Sequence, residues 1–260
     1  MSKIPLSVVI ITYNEERIIE KTLKAVRDLA SEIIVVDSYS TDRTVEIAKS
    51  LDAKVFVEKW RGYSEQKNLA MKKCNNEWIF FIDADEIVSD DLKKSIVKEL
   101  KNPKADGYMV NRRTYYMGKF LKRAWQPEWR LRLVRKSAGP WWSGDVHEQL
   151  HIRKGKIGKL RGDLYHFPYR DFADHVRKVL LLSREVALAR YRSGERCGFL
   201  NLIFNPIWAF WKTFLIKGGF FDGIPGLVAS FMTMVYTFFK YAFMYELQLR
   251  EKKGGELWKN

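Results

Sequence analysis

Residues 6–13, LSVVIITY, are apolar at almost every position, and so are EIIVVDS at 32–38 and the first half of EWIFFIDADE at 77–86. Unbroken β-branched or aromatic runs of this length mark strands buried on both faces. Helical periodicity fills the intervals. NEERIIEKTLKAV (14–26) spaces Ile18, Ile19, Leu23 and Val26 along one face, and STDRTVEIAKSL (40–51) predicts a helix capped by Ser40 or Thr41. AKVFVE (53–58) predicts a short strand, YSEQKNLAMKKC (63–74) a helix, and SDDLKKSIVKEL (89–100) a helix capped at Ser89 or Asp90. Strands alternating with helices predict βαβ units, hence an α/β fold with a mostly parallel central sheet flanked by helices.

From about residue 106 the pattern changes. GYMVNRRTYYMGKF (107–120) and EWRLRLVRK (128–136) alternate as exposed or edge strands do, and the residues from Tyr108 to Lys136 hold nine basic side chains against one acid, Glu128. This reads as a solvated basic face, or as a surface that receives an anionic acceptor. DFADHVRKVLLLSREVALARYRSG (171–194) predicts a helix with Asp171 as N-cap and Gly194 as its stop. NPIWAFWKTFLIKGG (205–219) predicts a helix with Asn205 as N-cap and Pro206 at its first position. The run 225–250 is long enough to cross a bilayer, which takes about 20 apolar residues. Ser230, Thr233, Thr237 and Lys240 nevertheless form a polar stripe along it, which favours a helix lying in a membrane interface or packed on a neighbour. Three regions follow: 1–105, 106–170 and 171–260.

Charge adds a partner class. There are 46 Lys plus Arg against 31 Asp plus Glu, a formal net charge of +15, which suits nucleic acid, acidic phospholipid or a phosphorylated substrate without choosing among them. The two cysteines lack metal-ligand spacing and predict no disulfide framework.

In parallel α/β sheets ligands bind beyond the carboxyl ends of the strands. Three apolar runs end there in polar groups, at 12–15, 37–40 and 83–86. Residues two apart in a strand share a face, so Asp83 and Asp85 are expected to converge on one point, where a hard divalent cation, Mg2+ or Mn2+, would offset their repulsion. No Gly-x-Gly-x-x-Gly follows the first strand, which argues against a dinucleotide-binding domain. In the second half, DVHEQL holds the titratable residues Asp145, His147 and Glu148, His166 follows a predicted strand, and Trp141 and Trp142 suit core packing.

VVIITYNEE, IIVVDSYSTDRT, QKNLA and FIDADE together, in order and spacing, resemble the nucleotide-sugar-binding half of the inverting family-two glycosyltransferases, which have the GT-A fold. WSGDVHEQL, LYHFPYRDFADHVRK and NPIWAFWKTFLIKGGFFDG look like the bacterial subgroup that includes lipopolysaccharide core β-1,4-glucosyltransferases. The resemblance implies metal-dependent inverting transfer of a hexose, glucose foremost, from a UDP-sugar to a lipid-linked saccharide. It implies that Asp37 accepts from the uracil N–H, that Thr12, Asn14 and Glu15 line the nucleoside pocket, and that Lys67 and Asn68 touch base, ribose or diphosphate. It also implies that Asp83 faces ribose and metal, that Asp85 binds the metal, and that His166 meets metal or diphosphate. An inverting reaction needs a base for the acceptor hydroxyl; Glu148 is favoured, Asp145 is the alternative, and His147 would orient the base or touch the diphosphate. Expected partners are thus the UDP-sugar, the lipid-linked acceptor and an anionic membrane surface, not nucleic acid, with peripheral attachment at the cytoplasmic face of the inner membrane and oligomerisation open through the C-terminal helices. Rival readings are transfer to polyprenyl phosphate or a capsule glycan, metal-dependent nucleotidyl transfer, and a non-catalytic basic membrane-binding protein.

Overall fold

The computed structural model describes residues 4–144 and 148–252. It divides into two compact units, one built from residues 1–113 and 128–167, the other from 114–127 and 168–260. Strands from both sides of residue 105 join one sheet, so regions 1–105 and 106–170 are halves of one sheet rather than separate domains.

In the first unit, β1 (Ile4–Thr12), β2 (Ala30–Asp37), β3 (Lys54–Val57) and β4 (Trp78–Phe81) are parallel and adjacent in the order β3-β2-β1-β4. The apolar runs work as expected, because alternate residues go to opposite faces and both faces are covered. Leu6, Val8, Ile10, Val35 and Phe80 pack with α1 (Ile19–Arg27), α2 (Thr44–Ser50) and α4 (Asp90–Lys101). Val9, Ile34, Val36, Ile79 and Phe81 pack with α3 (Tyr63–Lys72) and with Trp142 and Leu150 of a small antiparallel pair, β9 (Pro140–Ser143) and β10 (Gln149–Ile152).

Beyond β4 the sheet turns antiparallel, so it is mixed rather than mostly parallel. The order continues β4-β8-β6-β11-β5, with β5 (Glu86–Val88), β6 (Gly107–Tyr116), β8 (Trp129–Arg135) and β11 (Ile157–His166); β7 (Lys119–Phe120) pairs with the end of β6. Thus β8, whose alternating basic pattern predicts an edge, lies inside the sheet between β4 and β6. The helix caps divide in the same way. Ser89 caps α4 by accepting the Leu92 N–H, as expected. Helix α2 starts only at Thr44, because Ser40 and Thr41 spend their hydrogen bonds on the neighbouring loop.

In the second unit, α5 (Phe172–Arg192) starts at Asp171, which accepts the Asp174 N–H, and the chain turns at Gly194 with φ +89°. Helix α6 (Phe199–Trp211) starts six residues before the expected Asn205 cap, fixed by Asn201 accepting the Gly198 N–H, and Pro206 lies inside it. A π-helical turn (Lys212–Ile216) continues α6, and Gly218, at φ +72°, ends it. Helix α7 (Gly223–Lys252) packs along both α5 and α6.

Candidate active site

The carboxyl ends of β1 and β2 are knitted into one polar surface. Asp37, fully buried, accepts from the Thr12 hydroxyl at 2.9 Å and from the Ser40 N–H at 2.8 Å. The Asn14 N–H donates to the Ser40 hydroxyl and the Asn14 side-chain oxygen accepts from the Thr41 N–H, while the Glu15 N–H donates to the Thr44 hydroxyl. Thr12, Asn14, Glu15 and Asp37 are brought together at this rim. Asn14 and Tyr39 both adopt positive φ, 54° and 62°, a conformation that costs a non-glycine residue energy and is held only where the surroundings impose it. Tyr13 and Tyr39 leave their rings well exposed beside the buried Asp37.

The acidic segment departs from expectation. Strand β4 stops at Phe81, so Asp83 and Asp85 lie in a turn and do not share a strand face. Their side chains have different partners. One Asp83 oxygen accepts from Lys67 Nζ at 2.8 Å and the other from Arg132 at 2.7 Å. The same Arg132 nitrogen donates to Glu86 at 2.9 Å, and Arg112 stands 3.6 Å from Glu86 and 3.9 Å from Asp83. Arg112 also forks onto Glu128 at 2.9 and 2.6 Å. Cations from α3, β6 and β8 thus offset the buried carboxylates. Burial alone would push Asp83 up, but Arg132 and Lys67 hold it well below the usual carboxylate range. Glu86 goes the other way: burial raises it, Asp83 adds to the rise, and Arg132 offsets only part. Arg112 and Arg132, which in sequence read as part of a solvated face or of a surface for an anionic acceptor, are counter-ions of this turn.

Lys67 has a second bond. Its Nζ donates to Glu148 at 2.8 Å while lying 4.4 Å from the centroid of the Trp142 ring. The side chain is 3% exposed, and Lys67 joins Asp83, 16 residues on, to Glu148, 81 residues on. Asn68 is used differently from expectation. Its amide donates to the Trp142 carbonyl and accepts the Trp142 N–H, tying β9 to α3. Trp142 is core, edge-on to Phe81, whereas Trp141 is half-exposed and stacks on His151. Asp145 and His147 lie outside the described residues.

Asp85 faces His166, with Nε2 3.5 Å from the carboxylate, and its carbonyl accepts the Phe167 N–H. His166 Nδ1 is buried with no hydrogen-bond partner among the described residues. Those residues contain no cluster of three or more histidine, cysteine or carboxylate side chains fit to hold a metal ion. Asp83 carries one cationic donor on each oxygen, Lys67 on one and Arg132 on the other, which leaves a lone pair free on each. Asp85 and His166, facing each other at 3.5 Å, are the carboxylate and imidazole here that would suit a divalent ion.

Residues 7–157 match the family described as Glycosyl transferase family 2. An uncharacterized glycosyltransferase of Rickettsia typhi is 33% identical over 259 residues, covering 95% of this chain and 89% of the relative. The lipopolysaccharide core biosynthesis glycosyltransferase LpsC of Rhizobium meliloti is 33% identical over 253 residues, covering 94% and 93%. Among solved structures, Staphylococcus aureus TarS 1–349 aligns over 98% of this chain and 93% of that one, with a TM-score of 0.49 and 15% identity. The mixed sheet flanked by helices, with polar loops at the carboxyl ends of its parallel strands, is the GT-A fold, and the chain is a glycosyltransferase that belongs to glycosyl transferase family 2.

Proposed function

We propose that this enzyme moves a hexose, glucose foremost, from a UDP-sugar to a lipid-linked saccharide such as lipopolysaccharide core, with inversion at the anomeric carbon. The observation that carries this reading is the Lys67 bridge, 2.8 Å to Asp83 and 2.8 Å to Glu148. It unites the two segments that inverting transfer requires: an acidic turn at the donor edge of the sheet and a carboxylate able to take a proton. Glu148 accepts the proton of the acceptor hydroxyl as that oxygen forms its bond to the sugar, and the bond to the diphosphate breaks on the opposite face. Asp37, Thr12, Asn14 and Glu15 form the nucleoside side of the site, and Asp83 meets the ribose. A divalent ion held by Asp85 and His166 would supply positive charge to the departing diphosphate. The name of the Rhizobium relative supports the choice of acceptor.

The same reading has the chain attached peripherally to the cytoplasmic face of the inner membrane, where a lipid-linked acceptor is concentrated. Two segments among the described residues, Phe199–Ile216 and Gly219–Lys252, are long and apolar enough to cross a membrane by length and composition.

Donor binding is tested directly. UDP with Mn2+ or Mg2+ should raise the melting temperature more than UDP with EDTA, and Asp85→Ala should abolish that difference while Asp83→Asn keeps part of it. A metal effect that survives in Asp85→Ala would reject the assignment of that residue.

A further inference from the structure

The helix α6 and its following turn are built inside out. Along residues 199–216 only 11% of the stretch is buried, and the buried positions are Pro206 and Thr213. Outward go the rings and branched chains: Phe199 is 73% exposed, Phe204 61% and Trp208 57%. Leu200, Phe204, Ile207, Trp208, Trp211 and Leu215 recur at helical spacing along one face. The turn into α7 extends this surface through Phe221, at 70%, and Ile224, at 73%. A continuous apolar face of this extent marks a binding surface for another apolar phase.

Cations sit beside it. Buried Asp222 accepts the backbone N–H groups of Lys122, Arg123 and Ala124 at 2.8–2.9 Å, strapping the 122–124 loop to the α6–α7 turn. Lys122, Arg123 and Lys217 are exposed there, and the Arg123 guanidinium lies 6.0 Å from the Phe221 ring centroid. Helix α7 presents its hydroxyls to the protein, not outward. Ser230 and Thr237 are buried and donate to carbonyls of their own helix, and Thr233 accepts the Trp125 indole N–H. Helix α7 also packs along α5, which exposes Arg177, Arg184 and Glu185 midway along its length.

We infer that α6 and the turn through Ile224 are the inserting element of this protein, seated flat in one leaflet of an anionic phospholipid bilayer with Lys122, Arg123 and Lys217 at the headgroups. This rests on the peripheral-attachment reading above and narrows it to one element and one depth. The length of α6 with its turn, about 27 Å at 1.5 Å per residue, would suffice for a span. What excludes a span is α5: packed along α7, it would carry its mid-helix charges into hydrocarbon, where they are costly. Rings on one side and cations at the margin suit the interfacial geometry instead.

The test uses the full chain and vesicles of phosphatidylethanolamine with or without 30% phosphatidylglycerol. Flotation should require the anionic lipid and weaken in high salt. Phe204→Gln/Trp208→Gln should lose most of the binding, whereas Phe231→Gln/Phe238→Gln on α7 should keep most of it. Arg123→Ala and Lys217→Ala should each weaken binding about five-fold. Brominated lipid should quench the fluorescence that Trp208→Phe/Trp211→Phe removes, and carbonate should extract the protein. Resistance to carbonate makes α6 a span and overturns the single-leaflet depth. Loss of binding in the α7 variant alone overturns the choice of element. Failure to float on any vesicle, with light scattering showing a dimer that Phe204→Gln/Trp208→Gln dissociates, overturns membrane attachment altogether and makes this face a self-association surface.

Discussion

Glu148→Gln should turn over about 10²–10⁴-fold more slowly than the wild-type enzyme, the range that acid–base catalysis supplies, while UDP still stabilises it as before. The substitution is nearly isosteric, and the amide oxygen still accepts from Lys67, which donates to Glu148 at 2.8 Å. What it removes is the capacity to take a proton. The measurement is UDP release from UDP-glucose in the presence of lipopolysaccharide core, alongside a thermal-shift titration with UDP. Wild-type turnover in Glu148→Gln, with Asp145→Asn inactive, would transfer the role to Asp145. Lys67 adds a sharper version of the same test. If it acts by holding Glu148 in place, Lys67→Met lowers kcat about 10-fold or more on the wild-type background and has little further effect on top of Glu148→Gln, because residues acting as one unit are not additive. Independent losses in the double variant would return Lys67 to a direct contact with the donor.

The parallel half of the sheet was legible because burial on both faces leaves a composition signature. LSVVIITY and EIIVVDS have no polar face to hide, so their period needs no decoding. The three polar strand ends were legible for a related reason: a buried run that stops abruptly in Asp or Asn has reached the rim of the sheet, where polar groups can be solvated or bind a ligand. The antiparallel half was not legible. In WRLRLVR, arginine at every second or third position is what a solvated edge strand also shows. Arg132 differs from an edge arginine only through Asp83 and Glu86, which lie 49 and 46 residues away in sequence. No local pattern carries that information. That Asp83 and Asp85 lie past the strand was hidden likewise, because the alternation rule holds only while the strand lasts, and β4 ends two residues before Asp83. In the C-terminal region, Asn205-Pro206 imitates a helix start so well that it masks the six helical residues before it. There the surrounding apolar run, rather than the cap signal, is the better guide.

Arg132→Met should destabilise the protein by about 3–5 kcal/mol, the usual cost of removing one partner from a buried ionic cluster, and lower the melting temperature by about 6–20 °C. The side chain is 4% exposed, and one of its nitrogens serves both Asp83 and fully buried Glu86. Methionine fills much of the same volume, so the loss is electrostatic rather than a cavity. Lys67 still holds one oxygen of Asp83, and Arg112 remains 3.6 Å from Glu86, so the fold should survive for measurement. The pH dependence carries the signature. In the wild type, Glu86 is already raised by burial and by Asp83, against the pull of Arg132, whereas Asp83 is held low against burial by Arg132 and Lys67. Without Arg132 both carboxyls move up. A group whose folded value lies above its unfolded value stabilises below the unfolded value and loses that contribution as pH rises through the folded one. The gap between Arg132→Met and wild type should therefore be widest near pH 8 and narrow towards pH 5, as protonation replaces the missing cation. His166 also faces this cluster; His166→Gln in both backgrounds separates its contribution. Urea denaturation at the two pH values is the measurement, and a gap that stays constant would mean that Arg132 contributes packing rather than charge.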